Sequence, residues 1–333
     1  MDNLTHTLAG AVLAEAGLGR RTRLGTATLL IGANLPDVDA LAYLRDPLVA
    51  LTVRRGWTHG VLAMALLPGL LAGAMVAWGR WRKPMPPDAA SRTAGAAAAA
   101  PSSAPAADPP LRPRELLLLA AIAIWSHPLL DLLNNYGVRL LMPFSGRWFY
   151  GDAVFIIDPW LILILGAGAL FAAGRRNAGR TDAARPARIA GAVALGYIAV
   201  MIGSGVAARV IATREAAAAG VRFTRAMVGP MPITPLRRTV IFDLGDGYRR
   251  GTFDWRTSPH LTLAPDTVPQ SFTVPAVARA LESPRAQEFL SWSRFPAAAV
   301  DSTETPPLVR LYDLRYARPE APSWAGVELR SVR

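Results

Sequence analysis

Three of the four histidines, His6, His59 and His127, lie among the apolar runs that precede about residue 212, and aspartates accompany them. In His127-Pro128-Leu129-Leu130-Asp131 an imidazole and a carboxylate are four positions apart, so on a helix they share one face, a turn apart. Such a pair suits two ligands of one metal ion. It suits equally a histidine hydrogen-bonded to its own aspartate inside a bundle, and Pro128 makes the helical spacing approximate. Asn34-Leu35-Pro36-Asp37-Val38-Asp39 sets two carboxylates and an amide just past an apolar stretch. A helix stopped before Pro36 would let them converge on an ion, or they would form an ordinary capped turn. Thr5-His6 and Thr58-His59 each place an imidazole where an apolar run begins, as a ligand or as an interfacial anchor.

Asp152 and Asp158 are weaker candidates: Asp158 precedes Pro159 and suits a helix N-cap, and Asp152 belongs to the site or simply to its loop. His260 has no acidic or histidine neighbour in sequence and reads as a packing or surface residue. The chain has no cysteine, so disulfides and thiolate ligands are excluded and a metal must use nitrogen and oxygen. HExxH, GxSxG, a glycine-rich phosphate loop and CxxC are all missing. What remains is activation of water by a divalent ion on imidazoles and carboxylates, with zinc first and manganese or magnesium as other fits. A spare aspartate, Asp37 or Asp39, would act as general base.

The elements that must position these residues are membrane helices. With 52% hydrophobic residues in 333, part of the chain belongs in lipid. Apolar stretches run over about 4–18, 24–34, 60–79, 114–133, 154–173 and 189–211; the first is short for a span and reads as tilted, shallow or re-entrant. The stretch 83–114, rich in proline, alanine and serine, reads as a disordered linker. The net charge of +12 comes largely from arginine clusters beside apolar runs, the pattern of cytoplasmic loops rather than of nucleic-acid binding. The loop 174–188 holds five arginines against one aspartate, while 134–153 holds two arginines and one aspartate. Threading the chain from there puts His6, 34–39, His59, His127, Asp131, Asp152 and Asp158 on the opposite, outer face. No basic leader precedes the first apolar run, so His6 is expected in the mature protein.

Beyond about residue 212, short alternating runs at 221–224, 239–242 and 309–312, the turn Gly245-Asp246-Gly247 and a helical stretch over 274–295 predict a small α+β domain. The expected fold is therefore mostly α: a polytopic helix bundle over 1–212, then an extracytoplasmic α+β domain over 213–333.

Taken in order, Asp2-Asn3-Leu4-Thr5-His6-Thr7-Leu8-Ala9-Gly10, Asn34 to Asp39, Arg55-Gly56-Trp57-Thr58-His59 and Ser126 to Asp131 resemble the bacterial inner-membrane family of YdjM type, described as metal-dependent hydrolases. The motifs cover roughly the first 160 residues. Trp292-Ser293-Arg294-Phe295-Pro296 and Asp313-Leu314-Arg315-Tyr316 are similar to the tail of a longer subgroup. The resemblance implies that His6, Asp37, Asp39, His59, His127 and Asp131 form the metal site, with Gly60 where many relatives have serine. It also implies a multi-pass protein of the bacterial inner membrane, in contact with membrane lipids. Two further readings stand beside hydrolysis: a non-catalytic metal-binding or scaffolding protein, and a transporter, which would spread its polar groups through the membrane depth.

Overall fold

The structure, a computed structural model, describes residues 1–82, 109–318 and 323–330. Asp2 caps helix α1 (Asn3–Glu15), its carboxylate accepting the Thr5 N–H at 3.1 Å and the Thr5 hydroxyl at 2.6 Å. Helix α2 (Gly25–Asn34) returns alongside α1. At 13 and 10 residues, these helices are about 20 and 15 Å long, too short for a hydrocarbon core of about 30 Å. They form a hairpin within the bundle. Leu35 keeps helical angles (φ −58°, ψ −38°) although it precedes proline, and past the end of α2 the chain tightens into a 3-10 segment, Leu35–Leu44.

Four more helices complete the bundle after the short, Asp46-capped α3 (Pro47–Val53): α4 (Val61–Trp81), α5 (Pro113–Leu132), α6 (Pro159–Asn177) and α7 (Arg185–Ala218). Among the described residues, α4, α5 and α7 are long and apolar enough to cross a membrane. The apolar run of α6 ends in Arg175 and Arg176, and the helix begins at Pro159 rather than 154, because Asp158 accepts the N–H groups of Trp160 and Leu161 at 3.0 Å. Residues 83–108 of the expected linker lie outside the described residues, and its last two positions, Pro113 and Arg114, already belong to α5.

Small residues let the hairpin approach α5: a Cβ on Gly32 would lie 2.9 Å from that of Ala123. The starts of α1, α4 and α6 and the ends of α2, α5 and α7 consequently gather at one end of the bundle. The basic clusters collect at the other, where Arg21 pairs with Glu115 at 3.0 Å, Arg176 meets Glu15 and Arg188 donates to the Ala16 carbonyl at 2.9 Å.

The 34 residues of α7 span about 51 Å, roughly 20 Å more than the hydrocarbon core. The excess carries Ala208, Ala212 and Ala216 into the core of the C-terminal domain, so the expected boundary at 212 falls inside a helix. That domain holds an antiparallel sheet in the order β1 (Arg225–Pro230), β2 (Arg237–Asp243), β3 (Gly247–Asp254), β4 (Leu261–Pro269). A second antiparallel sheet follows the order β5 (Pro296–Asp301), β6 (Leu308–Asp313), β7 (Gly326–Arg330). The run at 221–224 precedes β1 instead of forming a strand. The helical stretch expected over 274–295 holds two helices, α8 (Pro275–Leu281) and α9 (Pro284–Trp292), since Ser283 and Pro284 start a new helix.

Asp313 and Arg315 lock this domain onto the bundle. The fully buried Asp313 accepts from Ser293 Oγ and Arg294 N at 2.7 Å and from Arg315 Nε at 2.8 Å, while Arg315 Nη1 donates to the Asn135 carbonyl at 2.7 Å. Burial alone would raise the Asp313 pKa, but the Arg315 guanidinium and these donors hold it below its usual value. Its stabilisation is therefore complete above the unfolded value of about 4 and is lost as pH falls through the lower folded value. Asp313→Ala, which strands a buried guanidinium, is expected to cost about 3–5 kcal/mol. Thermal unfolding in detergent checks this, and an unchanged midpoint at neutral pH would contradict it.

Candidate metal centre

The site is assembled at the gathered helix ends. His127 and Asp131 project from the same face of α5 with Nε2 and Oδ2 3.6 Å apart, as their spacing requires. His59, two residues before α4, places its Nε2 3.1 Å from His127 Nε2 and 3.2 Å from Asp131 Oδ2. From the 3-10 segment, Asp37 Oδ1 comes within 3.7 Å of His127 Nε2 and 3.8 Å of His59 Nε2. One ligand atom from each of these four buried residues lies within 4.8 Å of the others. Ligands about 2.0–2.2 Å from a tetrahedral zinc ion are about 3.3–3.6 Å apart, so the spacing fits such an ion.

The imidazole hydrogens sharpen the fit. His127 Nδ1 is 2.6 Å from the Ala33 carbonyl oxygen, which can only accept. His59 Nδ1 is 3.3 Å from Asp39 Oδ2 and 3.0 Å from the Thr58 hydroxyl, whose own proton goes to Asp39 at 2.7 Å. Both rings therefore carry hydrogen on Nδ1, and both Nε2 atoms face each other with lone pairs. Burial pushes the His59 imidazole down to about 4 against the pull of Asp39, so it is neutral at pH 7. Two opposed lone pairs beside two carboxylates want a cation between them.

Asp39 thus orients His59 from behind, also accepting the Arg55 N–H at 2.8 Å, and is not one of the four gathered donors. His6 is beside the cluster: its ring stacks on His127 at 3.6 Å between centroids, and its Nε2 is 3.4 Å from Asp131 Oδ1. Both His6 nitrogens, Asp37 Oδ2 and Asp131 Oδ2 are buried without a hydrogen-bond partner, as groups left for a ligand would be. Asp152 pairs with Arg294 of the C-terminal domain at 2.9 Å, and Asp158 caps α6 and accepts from the Tyr197 hydroxyl at 3.0 Å; neither joins the cluster. His260 packs against Phe253 and Trp255, and its backbone N–H donates to Glu215 at 3.2 Å.

Sequence reasoning assigned no role to the two arginines before His59. Arg54 Nη2 holds Asp37 Oδ1 at 3.1 Å. Arg55 Nη2 is 3.1 Å from Asp131 Oδ1 and donates to the Met1 carbonyl at 2.9 Å, while its Nη1 donates to Asn134 at 3.1 Å. The Met1 amino group also lies against Asp131. The available signal was an arginine pair in a loop that charge counting places on the arginine-poor face. Gly60, next to His59, packs so closely on the 140–142 loop that a Cβ would fall 2.3 Å from the Met142 carbonyl oxygen.

The sequence model described as YdjM inner membrane protein matches residues 1–212. An uncharacterized protein of Bacillus subtilis (strain 168), YfhP, is 25% identical over 183 residues, which is 52% of this chain and 47% of that protein. The chain thus spans about half the length of this curated relative. No solved structure matches.

Zinc content after purification separates the inner donors from their support. His127→Ala is expected to abolish stoichiometric binding, and Asp39→Asn to weaken it about 10–100-fold by releasing the His59 ring. Equal, undiminished binding by both variants would dissolve the site.

Proposed function

The chain belongs to the YdjM inner membrane protein family, and from that premise we propose that it is a membrane-bound, metal-dependent hydrolase of a phosphoester or carboxylic ester at the membrane surface. The observation that carries this reading is the pair of Nε2 lone pairs, 3.1 Å apart, facing Asp37 and Asp131. Two imidazoles and two carboxylates suit zinc, with manganese the next fit. When bound, a divalent ion supplies Lewis acidity, acidifying water towards a pKa of about 7 and polarising the ester oxygen.

The chain's own residues do the rest. Asp37 Oδ2, buried and without a partner, is the general base: it takes a proton from water as the water oxygen adds to phosphorus or the acyl carbon. The bond to the alcohol oxygen breaks, and that oxygen takes the proton from Asp37 and leaves as the alcohol. Arg54, already 3.1 Å from Asp37, faces the negative charge that develops. Arg55 fixes Asp131, Asp39 fixes His59, and the Ala33 carbonyl fixes His127, so the donors keep their directions while substrate enters.

On this reading the outer face carries both the site and the C-terminal domain, with the arginine-rich end in the cytoplasm. The cysteine-free chain makes sidedness directly measurable. In intact spheroplasts of the inner membrane, a membrane-impermeant maleimide should label Ser302→Cys and leave Thr181→Cys unlabelled, and the reverse pattern would invert the topology.

Hydrolysis itself is tested with the zinc-loaded protein on a panel of phosphate and carboxylate esters. Asp37→Asn removes both a charged donor and the base, so turnover measured at saturating zinc should fall about 10²–10⁴-fold, and chelation should abolish it in the unsubstituted protein. Zinc bound without hydrolysis of any panel member would instead identify a non-catalytic metal-binding protein.

A further inference from the structure

The carboxylate proposed as base borders a groove of about 680 Å³ formed by the end of α2 and the 3-10 segment. Seven of its nine lining residues are apolar, and the two polar ones, Asn34 and Asp37, lie on its inner side. Along the groove, Ile31, Val38, Leu41 and Leu44 are 40%, 49%, 63% and 86% exposed. The Asn34 side chain is already engaged, donating to the Leu30 carbonyl at 2.9 Å and accepting from the Thr7 hydroxyl at 3.1 Å. Asp37 Oδ2, buried and without a hydrogen-bond partner, lies behind the groove lining.

The groove is shallow and open, and it leads from an apolar stretch to a charged centre. A small, freely soluble ester would gain nothing from this trough, whereas each buried methylene of an acyl chain contributes about 0.8 kcal/mol. Charge agrees with shape: the Arg54 guanidinium sits beyond Asp37 and over the Tyr43 ring at 5.5 Å, and Arg45 is exposed at the end of the segment. An anionic head would meet these cations while its chain follows Leu35, Val38 and Leu41.

We propose that this groove binds one acyl chain of an anionic glycerophospholipid, with the phosphate ester directed at the cluster. The proposal rests on the hydrolase reading for the chemistry but not for the binding. It makes the substrate a membrane lipid rather than a soluble metabolite, and it explains why an ester-cleaving centre would be built at the end of membrane helices.

The test uses the full chain reconstituted into phosphatidylcholine vesicles containing a trace of phosphatidylglycerol with a diazirine in mid-chain. After irradiation, adducts are mapped by mass spectrometry and zinc is measured on the same sample. Adducts should concentrate on 30–44 over the exposed positions Leu163 and Leu170 of α6. Leu41→Gln should reduce capture about tenfold, the equivalent of one lost apolar side-chain contact, and Ala40→Trp should do the same by filling the trough. Arg54→Gln should remove the preference over a phosphatidylcholine photoprobe. Even labelling of all lipid-facing helices, or capture that neither groove variant alters in a monodisperse sample, overturns the proposal. Capture in the groove by a protein that binds no zinc would sink the hydrolase reading and leave the groove standing, while zinc without groove capture does the opposite.

Discussion

Asp131 is fully buried at the end of a membrane helix, and a lone carboxylate there would be too costly to remain ionised. The surrounding structure supplies what it needs. Its Oδ1 meets the Arg55 guanidinium, the Met1 amino group and the edge of His6, and its Oδ2 faces His59 and His127. The short α1–α2 hairpin, the 3-10 segment and the loop before α4 can be understood as the scaffolding that delivers those partners. Removing Arg55 or His59 would leave the fully buried Asp131 with one counter-group fewer.

The partners are arranged in layers. Inside are the four donors that could hold an ion. Behind them, groups with fixed roles set ring directions: the Ala33 carbonyl for His127, and Asp39 with Thr58 for His59. Behind these again, Asn134 receives Arg55, and the Arg315 guanidinium reaches the Asn135 and Tyr136 carbonyls. The C-terminal domain therefore belongs to the support of the site, since its buried Asp313–Arg315 pair grips the loop that follows the Asp131 helix.

The same end of the bundle faces two media. Toward the C-terminal domain it is polar and rich in hydrogen bonds. Toward α2 and the 3-10 segment it is an apolar trough with Asp37 at its wall.

Much of this was legible in the chain. Hydrophobic runs located the helices because burial in lipid demands long apolar segments, and the four-residue spacing of His127 and Asp131 put both on one face because the helix repeat requires it. Asp158 was legible as a cap from Pro159 alone. Other features depended on contacts between distant segments. The chain tightened into a 3-10 segment past α2, and the helical stretch over 274–295 divided at Ser283. The roles of Arg54 and Arg55 were hidden because a guanidinium finds its carboxylate through packing, and Asp37 and Asp131 are far from both in sequence. The sequence by itself determined which residue types were available and that arginine-rich and histidine-bearing ends would separate. Only the tertiary structure decided that Asp37, His59, His127 and Asp131 face one point while Asp39 stands behind and Asp152 turns to Arg294, because ring tautomers and carboxylate partners are set by neighbours that only folding brings together.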